Sequence, residues 1–154
     1  MLAHEEIEEI NAELARVEHK EAASVEALRI VQQHRGWISD ESIHDIAAVL
    51  GMTPAELDAV ATFYNFIYRR PVGRHIVQIC DSVVCWTMGY NSLHGLLSRK
   101  LGIAPGGTTP DNRFTFLPVS CLGACDRAPA MLIDEDLYGP VTPEMLDGIL
   151  EKYE

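Results

Sequence analysis

All four cysteines of this 154-residue chain lie between positions 80 and 125, in two pairs. Cys80 and Cys85 have four residues between them, Cys121 and Cys125 have three, and 35 residues separate the pairs. A fold for this chain must either bring two distant loops together around the thiols or hold four thiols apart. Secreted disulfide scaffolds are shorter and denser in cysteine. Residues 1–13 are acidic and helix-patterned, without the basic start and apolar stretch of an export signal. The expected setting is a reducing compartment, where the thiols stay free or bind metal.

The residues around the pairs predict how they are carried. His75-Ile76-Val77-Gln78-Ile79 is a β-branched run that leads into Cys80. Phe114-Thr115-Phe116-Leu117 reads as a second strand before Cys121 and Cys125, and Ala130-Met131-Leu132-Ile133 as a third. Leu93, Leu96, Leu97 and Leu101 form a helix stripe that stops at Gly102. Residues 104–110 carry turn chemistry, and Thr142-Pro143-Glu144 opens a last helix through Leu146, Ile149 and Leu150. Strand, helix, strand, strand, helix is an α/β sandwich. If the first two strands run parallel, both pairs leave the sheet at the same end, where α/β folds usually place their ligands.

Before Pro71-Val72-Gly73 the pattern is helical. Ile7, Ile10, Leu14 and Val17 make one stripe, and Val25, Leu28 and Val31 a second that stops at Gly36. Asp40 is a candidate cap for a third helix with Ile43, Ile46, Ala47 and Leu50, closed by Gly51. Thr53-Pro54-Ala55-Glu56 combines an N-cap, a proline at the first helical position and a glutamate three after the cap. It starts a fourth helix through Leu57, Val60 and Ala61. The expected organisation is a four-helix region over 1–70 and a second domain over 71–154, with no internal repeat.

Hydrophobic residues are 47% of the chain and charged residues 23%, which excludes disordered and low-complexity classes. No apolar run is long enough to span a bilayer. The net charge of −11 repels nucleic acid and anionic headgroups and is compatible with a basic protein partner or simply with solubility. Residues 1–70 hold 13 of the acidic and 6 of the basic side chains. No Gly-x-Gly-x-x-Gly or P-loop motif is present, so nucleotide binding is not expected within this polypeptide.

Zinc ribbons favour a two-residue gap within each cysteine pair. Both gaps here are wider. A [2Fe–2S] rhomb is longer than one ion and takes two thiolates on each iron, and plant-type ferredoxins use a four-residue gap in their first pair. Small residues such as Gly123 and Ala124 let backbone N–H groups approach the sulfurs. Spacing favours an iron–sulfur cluster, with a zinc-binding interaction module and free thiols as the alternatives. A thioredoxin-type dithiol would need Cys-x-x-Cys, which is absent.

His34-Arg35-Gly36-Trp37-Ile38, Val60-Ala61-Thr62-Phe63-Tyr64, Cys80 with Cys85, and Cys121 through Pro129 together carry a family resemblance. The chain resembles the small thioredoxin-like [2Fe–2S] subunits of bacterial NADH:quinone oxidoreductase, respiratory complex I. The resemblance implies a helical N-terminal region followed by a thioredoxin-like domain. It implies one [2Fe–2S] cluster on Cys80, Cys85, Cys121 and Cys125, reduced by the FMN of a larger NADH-binding flavoprotein subunit. It also implies other peripheral-arm partners and a cytoplasmic position on the inner membrane through the complex, without direct insertion and with no substrate site in this chain. Small subunits of NAD-linked formate dehydrogenases and hydrogenases share the cysteine pattern. Where many members have a Thr/Pro-rich stretch between the first two ligands, this chain has Asp81-Ser82-Val83-Val84, followed after Cys85 by Trp86.

Other residues near the pairs have defined expectations. Arg127 is the cation expected to bear on the cluster or to be a solvated surface arginine. Trp86 either shields the site or packs locally, Asp81 and Asp126 are turn residues, and Pro129 is a candidate cis proline before the third strand. His4, His19, His34, His44, His75 and His94 are expected to be surface or core residues rather than ligands. The segment from Phe63 to Tyr68 is expected to be core or interface.

Overall fold

The computed structural model describes residues 1–153. The chain divides into two compact units, Met1–Pro71 and a second from Val72 onward.

The first unit is helical: α1 (His4–Leu14), a 3-10 turn (Lys20–Ala23), α2 (Ser24–Arg35), α3 (Asp40–Leu50) and α4 (Pro54–Phe63). Each helix has a local reason to start or stop. Gly36 and Gly51 end α2 and α3 in the left-handed conformation, at φ of +83° and +71°, which is unfavourable for residues with a Cβ. Thr53 and Glu56 form the expected reciprocal capping box, with the Glu56 N–H donating to Thr53 Oγ1 at 3.3 Å. The cap of α3 is Ser39, not Asp40. Its hydroxyl accepts from the Ser42 N–H at 3.1 Å, which leaves Asp40 inside the first turn, where its charge favours the helix dipole. Val17 lies beyond the end of α1 and only packs against the core. Ile10, Leu28, Val31, Ile38, Ile46, Leu50 and Leu57 are among the side chains that close this core.

The second unit is a four-stranded mixed sheet in the order β2-β1-β3-β4. Its strands are β1 (His75–Cys80), β2 (Phe114–Val119), β3 (Met131–Ile133) and β4 (Asp136–Tyr138). Between β1 and β2 run the short α5 (Val83–Thr87) and α6 (Tyr90–Leu101); α7 (Leu146–Leu150) follows a 3-10 turn at Pro143–Met145. The β1–β2 pair is parallel, with Cys80 opposite Val119, and β3 and β4 add antiparallel. One sheet face contributes Val77, Ile79, Phe114, Phe116, Met131 and Ile133 to a core completed by Leu93, Leu97, Leu146 and Ile149. α5 and β4 are not foreseen from the sequence. The last helix also begins later than Thr142, because Pro143 and Glu144 form the 3-10 turn.

Candidate functional site

Because β1 and β2 are parallel, the chain leaves both at the same end of the sheet. Cys80 is the last residue of β1, and Cys121 follows Val119 of β2 after Ser120. The joint is held by backbone hydrogen bonds: Cys80 N–H to the Ala130 carbonyl at 3.1 Å and Asp81 N–H to the Val119 carbonyl at 2.9 Å. Beyond it α5 turns back, with the Trp86 N–H donating to the Ser82 carbonyl at 2.9 Å, and this turn buries Cys85.

Cys80 and Cys85 are buried and packed with Ala124, Ala128 and Ala130, with Leu122 against them. Cys121 and Cys125 are exposed, and none of the four is in a disulfide. The thiols interact within each pair and across the pairs. Burial pushes the Cys85 thiol up from its ordinary value; the Ala130 backbone amide opposes this, and Cys80 and Cys125 add to it. Cys125 is pushed up first by Cys121 and also by Cys80. Cys85 and Cys125, one from each pair, thus both feel the charge of neighbouring thiols. Such a set favours a bound cation or cluster, which displaces the protons on ligation.

The sulfurs have backbone donors. The Gly123 N–H donates to Cys121 Sγ at 3.4 Å, and the Ala130 amide favours the Cys85 thiolate. Gly123 reaches this position at φ of +72°, in the left-handed region. Among the described residues, no three His, Cys, Asp or Glu side chains close on one point that a single ion could occupy. A two-iron cluster takes its thiolates two and two. Two free thiol pairs at one end of the sheet, with a backbone donor on Cys121 Sγ, fit a [2Fe–2S] group.

The remaining candidates fall outside this group of sulfurs. Arg127 is exposed in the 3-10 turn that begins at Cys125 and forms no ion pair among the described residues. Trp86 stacks on Tyr90 at 5.4 Å while remaining 54% exposed, so its packing partner is local. Asp81 and Asp126 are exposed, as turn residues are. The Ala128–Pro129 bond is cis, as anticipated, and Gly139–Pro140 is a second cis bond that the sequence did not announce. His75 meets Asp134 at 2.7 Å at the opposite end of β1, and His94 packs on Phe116 and Tyr90. His34 pairs with Glu9 and His4 with Glu8 in the first unit. In the aromatic segment Phe63 is 79% exposed while Ile67 is buried, so it is part core and part surface.

Gly139 escaped the sequence reading. A Cβ there would collide with the Arg127 carbonyl oxygen and lie 2.8 Å from Arg127 Cβ, so only glycine lets this segment pass behind the Cys125 turn. The Gly139-Pro140 dipeptide was the available signal, since it marks a turn.

The model of the thioredoxin-like [2Fe–2S] ferredoxin family matches residues 10–154. One of the subunits of the NADH-quinone oxidoreductase of Escherichia coli (strain K12) is 51% identical over 152 residues, which are 99% of this chain and 92% of that protein. The subunit of the same name from Pseudomonas aeruginosa is 48% identical over 153 residues, with the same shares of 99% and 92%. Among solved structures, an NAD+-reducing [NiFe]-hydrogenase in the air-oxidised state matches with a TM-score of 0.70 and 28% identity, over 84% of this chain and 22% of that one. The chain therefore belongs to the thioredoxin-like [2Fe–2S] ferredoxin family, in the branch that supplies a subunit of NADH-quinone oxidoreductase.

Proposed function

We propose that the chain is the electron-transfer subunit of an NADH:quinone oxidoreductase of the complex I type. In this reading Cys80, Cys85, Cys121 and Cys125 hold one [2Fe–2S] cluster. A larger flavoprotein subunit binds NADH and FMN and delivers the electrons. The observation that carries the reading is the meeting of two thiol pairs at one end of two parallel strands, in a chain that matches NADH-quinone oxidoreductase subunits over nearly its whole length.

When bound, the cluster supplies one-electron chemistry at a potential set by its surroundings. The chain's own residues do the rest. The ends of β1 and β2 fix the spacing of the thiolates. The Gly123 amide donates to Cys121 Sγ and the Ala130 amide favours negative charge on Cys85, which favours the more negative, reduced form. The alanines around Cys80 and Cys85 keep water off that pair, while Cys121 and Cys125 face outward toward an electron donor.

The flavoprotein contact is assigned to exposed apolar side chains. On and beside α5 these are Val83, Trp86 and Met88; on the helical unit they are Phe63, Tyr64 and Phe66. Clusters of exposed apolar side chains mark protein–protein contacts more often than isolated ones do. No single helix among the described residues is long and apolar enough to cross a membrane. The reading places the chain at the cytoplasmic face of the inner membrane through its complex.

Copurification from native membranes tests the assignment. The tagged chain should bring down an FMN-containing flavoprotein and quinone-linked subunits, and NADH should reduce its cluster. Recovery in a soluble formate- or hydrogen-oxidising assembly instead would overturn it.

A further inference from the structure

Gln78 has a buried amide that the fold does not use. It lies within β1, two residues before Cys80, and is only 1% exposed. Its Nε2 has no hydrogen-bond partner among the described residues. Strand alternation puts Gln78 and Cys80 on one face of the sheet and Val77 and Ile79 on the other, where those two join the apolar core. Across the ladder Gln78 is opposite Leu117 of β2 and Leu132 of β3, neither of which offers a side-chain acceptor. Burying an amide N–H without an acceptor is unfavourable, and a methionine would fill the same space without that penalty. Of the functional groups on this face of β1, the Cys80 sulfur is the nearest along the strand.

We infer that Gln78 is a hydrogen-bond donor to the bound cluster, through the Cys80 thiolate or the bridging sulfide beside it, and that it raises the cluster's reduction potential. The inference rests on the ligand assignment proposed above. Reduction adds one negative charge to the sulfur array, so a fixed N–H donor stabilises the reduced form more than the oxidised one. The donor belongs to a buried strand rather than to a loop, so its position is set by the sheet.

The test uses the full chain with its cluster, as wild type, Gln78→Met and Gln78→Glu. Three quantities are read: iron and sulfide content, the midpoint potential by EPR-monitored titration, and thermal unfolding of the cluster-free chain. Gln78→Met should keep its cluster and shift the one-electron equilibrium toward the oxidised form about tenfold, which is about 59 mV. Gln78→Glu should shift it in the same direction and at least as far. Cluster-free Gln78→Met should unfold no earlier than wild type, because no protein hydrogen bond is lost. The inference is overturned if a loaded variant titrates within twofold of wild type, if both variants fold but stay empty, or if cluster-free Gln78→Met is clearly destabilised. Wild type without a [2Fe–2S] signal would overturn the ligand assignment first and this inference with it.

Discussion

The helical unit and the thiol end of the sheet are built from opposite materials. The first is closed by large branched side chains such as Leu28, Ile38, Ile46 and Leu57, all fully buried, with local caps at the starts of α3 and α4 and glycine stops after α2 and α3. The second has almost no bulk. Alanines, two buried cysteines and backbone hydrogen bonds hold it, and two of its four thiols are open to solvent. A packed helical core gains stability from apolar area and tolerates small shifts. A ligand set gains nothing from bulk; it needs fixed spacing and room for backbone donors. The comparison predicts that substitutions in one region change stability and substitutions in the other change cofactor content.

The largest effect is expected for Cys121→Ser, which should abolish or severely reduce the cluster measured by visible absorption and iron content. His44→Ala should leave cluster content unchanged, and equal content in the two variants would break the comparison. Next is Arg35→Ala in the helical unit. Arg35 Nε and Nη2 donate to the two Glu6 carboxylate oxygens at 2.6 and 2.7 Å, and Glu6 is buried. Stranding that carboxylate should cost about 3 kcal/mol in denaturant unfolding, with the cluster potential unchanged. The same pair has a pH signature. The Arg35 guanidinium holds the Glu6 carboxyl below its ordinary value of 4.5. Its contribution is therefore present above that value and is lost as pH falls through the lowered folded value. In Arg35→Ala this acid sensitivity should shrink.

Gly139→Ala forces the Arg127 backbone to move and should cost about 2 kcal/mol. It sharpens the comparison because it should lower both stability and cluster retention, being the place where packing meets the turn that begins at Cys125. The smallest effect is expected for Thr53→Ala, which removes the cap of α4 and should cost about 1 kcal/mol in thermal unfolding with cluster content untouched.

What the sequence disclosed follows the range of the interactions. The Thr53–Glu56 box and the glycine stops at 36 and 51 are local, and the structure has them where they were expected. Ser39 and Asp40 are adjacent residues of equal capping ability, so composition alone could not choose between them. The strands before the two cysteine pairs were visible as β-branched and aromatic runs; their parallel pairing was a condition, which the structure meets. β4 has only three residues, too few for an alternation to register. The close pass of Gly139 behind Arg127 and the unmet amide of Gln78 are products of tertiary packing. The Gly139-Pro140 dipeptide marks a turn but not what it packs against, and no periodicity marks the Gln78 amide.

The central claim is that four cysteines from two strand ends share one binuclear iron site. Iron, zinc and acid-labile sulfide analysis of the anaerobically purified chain, combined with EPR after dithionite reduction, tests it most directly. The account predicts about two irons and two sulfides per chain and a rhombic signal from a one-electron-reduced [2Fe–2S] centre. A colourless chain with one zinc and no sulfide would contradict it.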